Sequence, residues 1–279
     1  MMLIDLVIAA ATALPHGTMQ RFEIRAPEVG DARRTVRVYL PPSYNQADHA
    51  SQRYPVIYML HGWPGSDGNW VSMGHAADTA DSLIAGGRIP EIIMVFPNGG
   101  GKGLLGRSGW MNSYDGSSRV EDFVAGTVVR WTDSTFRTQP KPQRRGVIGL
   151  SDGGTGAVNL VLHHLDEFRA CGSHSGEFLL KKDFGIGGVV GPEPGATQLL
   201  QKYSPMLYID KLMPLPKDLV VYLDCGTSDE DLDDNRAFHK KLLALGVTTT
   251  YNEFPGTHEW RYWRSHLVQS LEAVTANMR

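Results

Sequence analysis

The stretch that most constrains this chain is Gly149-Leu150-Ser151-Asp152-Gly153, in which a serine has glycine two positions away on each side. It follows a short apolar run at 146–148 and precedes a helical pattern at 156–164. A Gly-x-Ser-x-Gly segment between a strand and a helix is the arrangement of a nucleophile elbow, in which serine stands on a very tight turn. Gly149 and Gly153 provide room for that turn because glycine lacks a Cβ atom. The sequence therefore predicts Ser151 as a nucleophile.

Apolar runs alternate with helical patterns through the rest of the chain. Near-continuous apolar runs such as Tyr54–Leu60 are typical of strands in a sheet covered on both faces. Met19–Arg25 and Arg33–Leu40 alternate around a turn and predict a hairpin. The remaining predicted elements are strands at 92–96, 145–150, 168–175, 219–223 and 248–253, and helices at 69–85, 121–136, 156–164, 231–245 and from 260 onward. This order predicts the α/β class, with a mostly parallel doubly wound sheet and an N-terminal antiparallel hairpin.

The domain prediction is one large α/β catalytic domain over residues 17–279, preceded by an arm at 1–16. Within the domain, the glycine- and proline-rich segment at about 177–216 is expected to be an irregular insertion, serving as a lid or pocket wall. The apolar stretch Leu3–Leu14 reads as a clipped secretion signal, the end of a linker or a plain arm. A clipped signal would place the protein outside the cell or in the periplasm, and otherwise the cytoplasm is expected.

Charge and residue spacing exclude several classes of partner. The formal net charge is −3 and no basic stripe is present, so nucleic acid is not expected as a partner. No run approaches the ~20 apolar residues of a membrane span. Cys171 and Cys225 fall at opposite ends of neighbouring predicted strands, so both are expected to be free thiols. Neither a metal site nor a cofactor is predicted, and the oligomeric state is left open.

A serine hydroxyl needs a base to take its proton and an acid to orient that base. When such a serine stands on an elbow in an α/β sheet, the partners follow in the order acid, then histidine. Asp229 lies three residues after the glycine that follows a predicted strand and is the favoured acid, with Asp224 and Asp231 as alternatives. His258 lies between the last predicted strand and the last helix. It is therefore predicted to be the base.

The negative charge that develops on an attacked carbonyl oxygen needs two preorganised donors. One is expected to be the backbone N–H of Asp152, at the start of the elbow helix. The other is expected from the loop His61-Gly62-Trp63, directly after a buried strand, and we choose the N–H of Trp63.

Aromatic residues cluster in sequence near the predicted carboxyl ends of the strands, where an open α/β sheet binds its ligands. Trp110 and Tyr114 lie on a long loop and Trp260 follows the predicted base, so these three are predicted to contact substrate. Trp70 and Trp263 are instead expected to pack in the core. Aromatic walls would suit an aryl or sugar-linked acyl group.

Taken together, these motifs resemble the esterase D / feruloyl esterase-like branch of the α/β-hydrolases, which includes S-formylglutathione hydrolases, siderophore esterases and mycolyltransferases. The matching stretches are 36–44, 54–62 with Gly65, Ser66 and Trp70, 149–154, 225–229 and 256–260. The resemblance implies the same catalytic triad of Ser151, Asp229 and His258, and the same two backbone donors. One position departs from the family pattern, which usually has methionine or another uncharged residue where this chain has Asp152. Either this side chain points away and caps the helix, or the site is tuned for an unusual substrate.

The predicted function is a serine carboxylesterase that hydrolyses a small-molecule or saccharide-linked carboxylic ester through an acyl-enzyme. Two alternatives remain at this point. An acyltransferase would use the same triad but pass the acyl group to an alcohol. A binding module with a relic triad is the second, and the charge of Asp152 is the only feature of the sequence in its favour.

Overall fold

A computed structural model describes residues 15–278, and within them eight strands form one sheet. The strands are β1 (Thr18–Ala26), β2 (Asp31–Leu40), β3 (Val56–Leu60), β4 (Ile93–Pro97), β5 (Arg145–Leu150), β6 (Ala170–His174), β7 (Val220–Gly226) and β8 (Thr249–Phe254). Their order in the sheet is β1-β2-β4-β3-β5-β6-β7-β8. The pairs β1–β2 and β2–β4 are antiparallel, and every other pair is parallel. The predicted α/β fold with an N-terminal antiparallel hairpin is confirmed.

Helices cover both faces of this sheet. They are α1 (Asn69–Ser72), α2 (Ala76–Ala85), α3 (Val120–Asp122), α4 (Val129–Thr135), α5 (Asp152–His163), α6 (Gly187–Val190), α7 (Gly195–Lys202), α8 (Pro205–Tyr208), α9 (Leu232–Ala244) and α10 (Trp260–Thr275). Helices α5 and α9 pack on one face, whereas α2 and α10 pack on the other. Because side chains alternate along a strand, neighbours Val147 and Ile148 of β5 enter opposite apolar layers, and both are fully buried. This explains why the strands read as continuous apolar runs.

Several predicted boundaries were wrong. The helix expected over 69–85 is divided into α1 and α2, because the chain turns at Gly74 directly against Trp70. A Cβ atom at Gly74 would lie 2.6 Å from the Trp70 ring. The helix expected over 121–136 has a wider π-helical stretch, Phe123–Val128, between α3 and α4. The strand expected at 219–223 continues to Gly226, so Asp224 and Cys225 lie inside β7.

The segment at 177–216 contains three short helices, α6 to α8, where the sequence indicated irregular chain. Residues of α6 and α7 form a small apolar cluster of their own together with Met111 from the long loop after β4. This cluster fixes the segment beside the loop, because its apolar side chains are withdrawn from water only when the two pack together.

Both cysteines are buried free thiols, as predicted. No helix in the part of the chain that the structure describes is long and apolar enough to cross a membrane. The interpretations given for residues 1–14 lie outside the described residues.

Candidate active site

Ser151 lies between β5 and α5 with φ 53° and ψ −127°, a backbone conformation that residues other than glycine rarely adopt. Its N–H donates to the His174 carbonyl at 2.9 Å. A Cβ atom at Gly149 would lie 1.9 Å from the Gly153 carbonyl oxygen, and one at Gly153 would lie 2.4 Å from that of Leu60. Both glycines are therefore required for the turn. A strained residue of this kind costs about 1–3 kcal/mol, and the packing around it must offset that cost.

Three side chains from distant parts of the sequence meet above this turn. Ser151 Oγ lies 2.9 Å from Nε2 of His258, and Nδ1 of the same ring lies 3.1 Å and 3.2 Å from the two carboxylate oxygens of Asp229. The Asp229 side chain is fully buried, whereas His258 is 26% exposed. The structure thus brings together the serine, histidine and acid that the sequence singled out.

The loops after β7 and β8 hold the acid and the histidine in register. The N–H groups of Thr227 and Ser228 donate to the carbonyls of Phe254 and Gly256. This approach requires glycine at position 226, because a Cβ atom there would lie 2.5 Å from the Gly256 oxygen. Two loops from neighbouring parallel strands are joined in this way, and the residues that follow them face each other.

The alternative acids occupy different places. Asp224 is fully buried inside β7, where its carboxylate accepts hydrogen bonds from Tyr222 and Tyr262 and pairs with His174 at 2.9 Å. It therefore does not reach His258. Asp231 does approach it, with Oδ2 3.6 Å from Nδ1, but that separation is too long for a hydrogen bond.

The environment shifts the acidities of all three groups. Burial alone would raise the pKa of Asp229, but the hydrogen bonds from His258 and from the Asp231 N–H outweigh it and hold that pKa below its ordinary value. Burial would also lower the pKa of His258, yet the hydrogen bond and charge of Asp229, with the charges of Asp231 and Glu230, raise it. Burial, reinforced by the charges of neighbouring carboxylates and opposed by that of His258, raises the pKa of Asp231 to about 6.

Asp229, Asp231 and His258 also place potential ligand atoms within 4.8 Å of one another, the spacing of a cation site. However, the Nδ1–H of His258 is already directed at Asp229, and a metal on that nitrogen would displace the hydrogen bond that orients the ring. We therefore interpret the group as an acid–base pair with a second carboxylate beside it.

The two expected oxyanion donors flank the serine. Asp152 begins α5, where the N–H groups of a helix have no partner within the helix. The loop that carries Trp63 lies against the serine, since a Cβ atom on Gly62 would be 3.1 Å from that of Ser151. Among the described residues, neither the Trp63 N–H nor the Asp152 N–H donates to an acceptor. Both remain available to a ligand.

The side chain of Asp152 forms a bidentate ion pair with Arg107, at 2.8 Å and 2.7 Å. Both of its carboxylate oxygens are therefore bound by the guanidinium and not by the N–H groups of α5. Sequence reasoning did not find Arg107, because it lies 45 residues from Asp152 in an irregular loop and no local pattern marks it.

The cleft in front of Ser151 has a volume of about 430 Å³. Its apolar walls are Trp63, Pro64, Met73, Trp260 and Trp263. Trp260 therefore lies where a substrate contact was predicted. Trp263 is 6% exposed and packs edge-on against His258, so it serves both the core and the cleft. Trp70 is buried, as expected, and donates to the Leu60 carbonyl.

The other two predicted substrate contacts lie elsewhere. Trp110 is only 3% exposed, and its Nε1–H donates to the His61 carbonyl at 3.0 Å. Its ring lies in the core beneath the His61–Trp63 loop, because Gly99 and Gly156 leave room for it there. Tyr114 is 52% exposed and packs over Gly191 of the 177–216 segment. Neither residue lines the cleft, so both predictions are corrected.

A second, narrow pocket opens on the far side of Asp152, with room for about one water molecule. Arg107, Thr155, Glu177 and Lys181 contribute its polar groups. Burial, together with the negative charges of Asp231 and Asp234, raises the pKa of Glu177 to about 7. Sequence reasoning did not single out this carboxylate.

The family model for esterases, described as "Putative esterase", matches residues 28–274. The chain belongs to this esterase family. The chain is 28% identical over 272 residues to Esterase Rv1288 of Mycobacterium tuberculosis, with 88% of this chain and 56% of that protein covered. It is 30% identical over 261 residues to an endo-1,4-beta-xylanase/feruloyl esterase of Xylanibacter ruminicola, with 93% and 31% covered. The chain thus spans about half or less of the length of these relatives.

Solved structures agree. A ferulic acid esterase superposes with a TM-score of 0.82 at 27% identity, covering 95% of this chain and 99% of that one. An S-formylglutathione hydrolase from Staphylococcus aureus gives a TM-score of 0.74 at 18% identity, with 95% and 100% covered, and shows the shared fold.

A further sequence relative, a mycolyltransferase of Mycolicibacterium smegmatis, is 27% identical over 161 residues, with 46% of this chain and 50% of that protein covered. The resemblance to the feruloyl esterase-like branch is confirmed.

Proposed function

We propose that this esterase is a serine carboxylesterase whose catalytic triad is Ser151, His258 and Asp229. The observation that carries the proposal is the continuous path from Ser151 Oγ through both ring nitrogens of His258 to the buried carboxylate of Asp229. Residues 17–279 would then form one catalytic domain, in which the 177–216 segment contributes the pocket wall behind Asp152.

The reaction follows from the roles of these atoms. His258 Nε2 takes the proton of Ser151 as Oγ attacks the ester carbonyl carbon, and Asp229 stabilises the imidazolium that forms. The tetrahedral intermediate collapses when His258 gives this proton to the departing alcohol, which leaves an acyl-serine. A water molecule, deprotonated by the same nitrogen, then attacks the acyl carbon. As the bond from this carbon to Oγ breaks, His258 returns the proton to Oγ, which releases the acid and regenerates Ser151.

The carbonyl oxygen becomes negatively charged in both tetrahedral states. The N–H groups of Trp63 and Asp152 flank Ser151 without acceptors of their own, and they are proposed to donate to this oxygen. Loss of one such donor typically costs about 3–4 kcal/mol of transition-state stabilisation. The donors are backbone groups, so the loop and helix that carry them must stay in place during catalysis.

The walls of the cleft indicate the substrate class. Trp63, Trp260 and Trp263 present flat apolar surfaces within reach of Ser151, and aromatic surfaces of this kind bind aryl groups and the faces of sugar rings. We propose a feruloyl-like aryl ester or a sugar-linked acyl ester. The similarity to a ferulic acid esterase and to a protein named as a feruloyl esterase supports the same choice.

The test is pre-steady-state hydrolysis of p-nitrophenyl acetate by the intact protein. A burst of p-nitrophenol equal to the enzyme concentration, absent from Ser151→Ala, is expected for an acyl-enzyme. No hydrolysis above the Ser151→Ala level would exclude the proposal and leave the relic binding module in its place. Rates on feruloyl, acetyl-xylan, S-formylglutathione and simple acyl esters would then define the acyl group.

An acyltransferase is the second candidate, because a mycolyltransferase is among the relatives. It would form the same acyl-serine but transfer the acyl group to a sugar hydroxyl instead of water. Product analysis with an added sugar acceptor such as glucose separates the two: an acylated sugar as main product favours transfer, and free acid favours hydrolysis.

A further inference from the structure

Arg107 contacts the residues that carry both proposed oxyanion donors. Its Nε and one terminal nitrogen bind the Asp152 carboxylate, and the other terminal nitrogen binds Asp183 at 2.6 Å. The guanidinium carbon also lies 5.0 Å from the centre of the Trp63 ring, the geometry of a cation–π contact. The Arg107 side chain therefore connects the His61–Trp63 loop, the start of α5 and the 177–216 segment.

The loop that presents Arg107 is itself fixed. Trp63 Nε1–H donates to the Leu104 carbonyl at 2.8 Å, and the Leu104 N–H donates to Gly185 at 2.9 Å. The Gly103 N–H closes the loop by donating to the Arg107 carbonyl. The Trp63 indole is thus contacted twice by the segment 104–107, at its nitrogen by Leu104 and on its ring face by Arg107. These contacts restrict the orientation of the Trp63 backbone N–H.

The charge of Asp152 gives this arrangement a consequence for catalysis. A carboxylate one residue from the nucleophile opposes the negative charge that forms on the substrate oxygen. The side chains of Arg107 and Asp152 are only 12% and 15% exposed, so water screens neither charge well. The guanidinium therefore offsets the charge of the poorly hydrated Asp152 carboxylate, whereas Asp183, the other acid that it binds, is 50% exposed and is screened by water.

We propose that Arg107 is a positioning residue of the oxyanion hole, which holds Trp63 and Asp152 by their side chains and neutralises the Asp152 carboxylate. This inference rests on the proposed esterase function. It also accounts for the acidic residue directly after Ser151, since the structure pairs this acid with its own counterion.

The test compares Arg107→Met, Asp152→Asn and the double variant in hydrolysis of p-nitrophenyl acetate. Arg107→Met leaves a bare carboxylate, so kcat is expected to fall about tenfold or more while KM changes less than about threefold. In the double variant the bare carboxylate is gone but the contacts of Arg107 with Trp63 and Asp183 are still lost, so kcat is expected to lie between those of Arg107→Met and Asp152→Asn. Arg119→Met, which removes an exposed arginine paired with Asp122, is the matched control and should keep the wild-type kcat.

Inhibition by phenylboronic acid gives a readout that a purely structural role would not change. Its adduct with a serine hydroxyl is tetrahedral and negative, so Arg107→Met is expected to weaken it in proportion to the loss of kcat. An unchanged kcat in Arg107→Met would overturn the proposed role of Arg107 and leave the proposed function standing. A double variant no faster than Arg107→Met would overturn the neutralisation of Asp152. Wild-type hydrolysis no faster than that of Ser151→Ala would overturn the proposed function and this role with it.

Arg107→Lys covers the case in which Arg107→Met does not fold. Lysine keeps the charge but lacks the planar fork that binds Asp152 and Asp183 together. A kcat reduced about threefold or more, with an unchanged melting temperature, supports the positioning role. A full wild-type kcat in Arg107→Lys, with an unchanged Ki for phenylboronic acid, contradicts it.

Discussion

Oδ2 of Asp231 lies 3.6 Å from Nδ1 of His258, only 0.5 Å farther than Oδ1 of Asp229, which lies 3.1 Å from the same nitrogen. Two carboxylates therefore face one side of the imidazole. Asp229 accepts its hydrogen bond and is fully buried, whereas Asp231 is 25% exposed and acts only through its charge. The two acids should differ sharply in their importance.

We expect Asp229→Asn to lower kcat by roughly 10³–10⁴-fold, because an amide neither stabilises the imidazolium nor holds the correct tautomer. Asp231→Asn removes no hydrogen bond to the ring and should lower kcat less than about tenfold. Steady-state kinetics of both variants on p-nitrophenyl acetate checks this order. A larger loss in Asp231→Asn would identify Asp231 as the triad acid.

The pH profile should reflect the raised pKa of His258. Only the neutral ring can accept a proton from Ser151, so kcat/KM is expected to rise with pH through a value above the ordinary 6.5 of histidine. Removal of the nearby charge in Asp231→Asn lowers the pKa of His258. The acid limb should therefore move to lower pH in this variant, and a limb that moves upward or stays fixed would contradict the assignment.

Glu177 should make stability depend on pH. Its pKa rises from 4.5 in the unfolded chain to about 7 in the folded state, so the folded state binds the extra proton between these values. The contribution of Glu177 to the free energy of unfolding is therefore fully present below about pH 4.5 and is lost as the pH rises through 7. Glu177→Gln should thus melt higher than wild type at pH 8 and show less change between pH 5 and 8. Glu23→Gln, on the exposed surface of β1, is the control and should follow the wild type.

The elbow glycine should be intolerant of even one methyl group. Gly149→Ala would place Cβ 1.9 Å from a carbonyl oxygen, so the strand or the helix must move. We expect a loss of about 2–3 kcal/mol in unfolding free energy and most of the activity. Gly195→Ala, with nothing within 4 Å, should change stability by less than about 0.5 kcal/mol. Urea denaturation measures both.

Two tryptophans should separate binding from folding. Trp260 lines the cleft, so Trp260→Ala is expected to raise KM for an aryl acyl ester about fivefold or more and to leave KM for an acetyl ester nearly unchanged. Trp110 lies in the core, and Trp110→Ala should cost about 3–5 kcal/mol of stability. Equal effects of Trp260→Ala on both substrates would argue against an aryl subsite at this wall.

The elements that sequence predicted well are those set by local pattern. The elbow of Ser151 needs only its neighbouring glycines, and the strands needed only their apolar runs. Asp229 was harder, because three aspartates lie within eight residues and only the hydrogen bonds between the β7 and β8 loops decide which one accepts the hydrogen bond of His258. Loop positions depend on such contacts between distant segments, which spacing along one segment does not report.

The position of Trp110 also depends on contacts between distant segments. A tryptophan on a long glycine-rich loop looks like a pocket residue, but Gly99 and Gly156 open a space for its ring beneath the oxyanion loop. Arg107 left no signal at all in the sequence, since its partners come from three separate segments. Both residues take their position from tertiary packing, which overrides the local character of the loop.

The proposed triad draws on β5, β7 and β8, and 107 residues separate Ser151 from His258. During synthesis, the nucleophile and both proposed oxyanion donors therefore leave the ribosome well before the acid and the base. A nascent chain that has reached only β6 holds a serine with no group to accept its proton. If the proposed triad is correct, hydrolysis would begin only after β8 pairs with β7, so the onset of activity would report the formation of that strand pair.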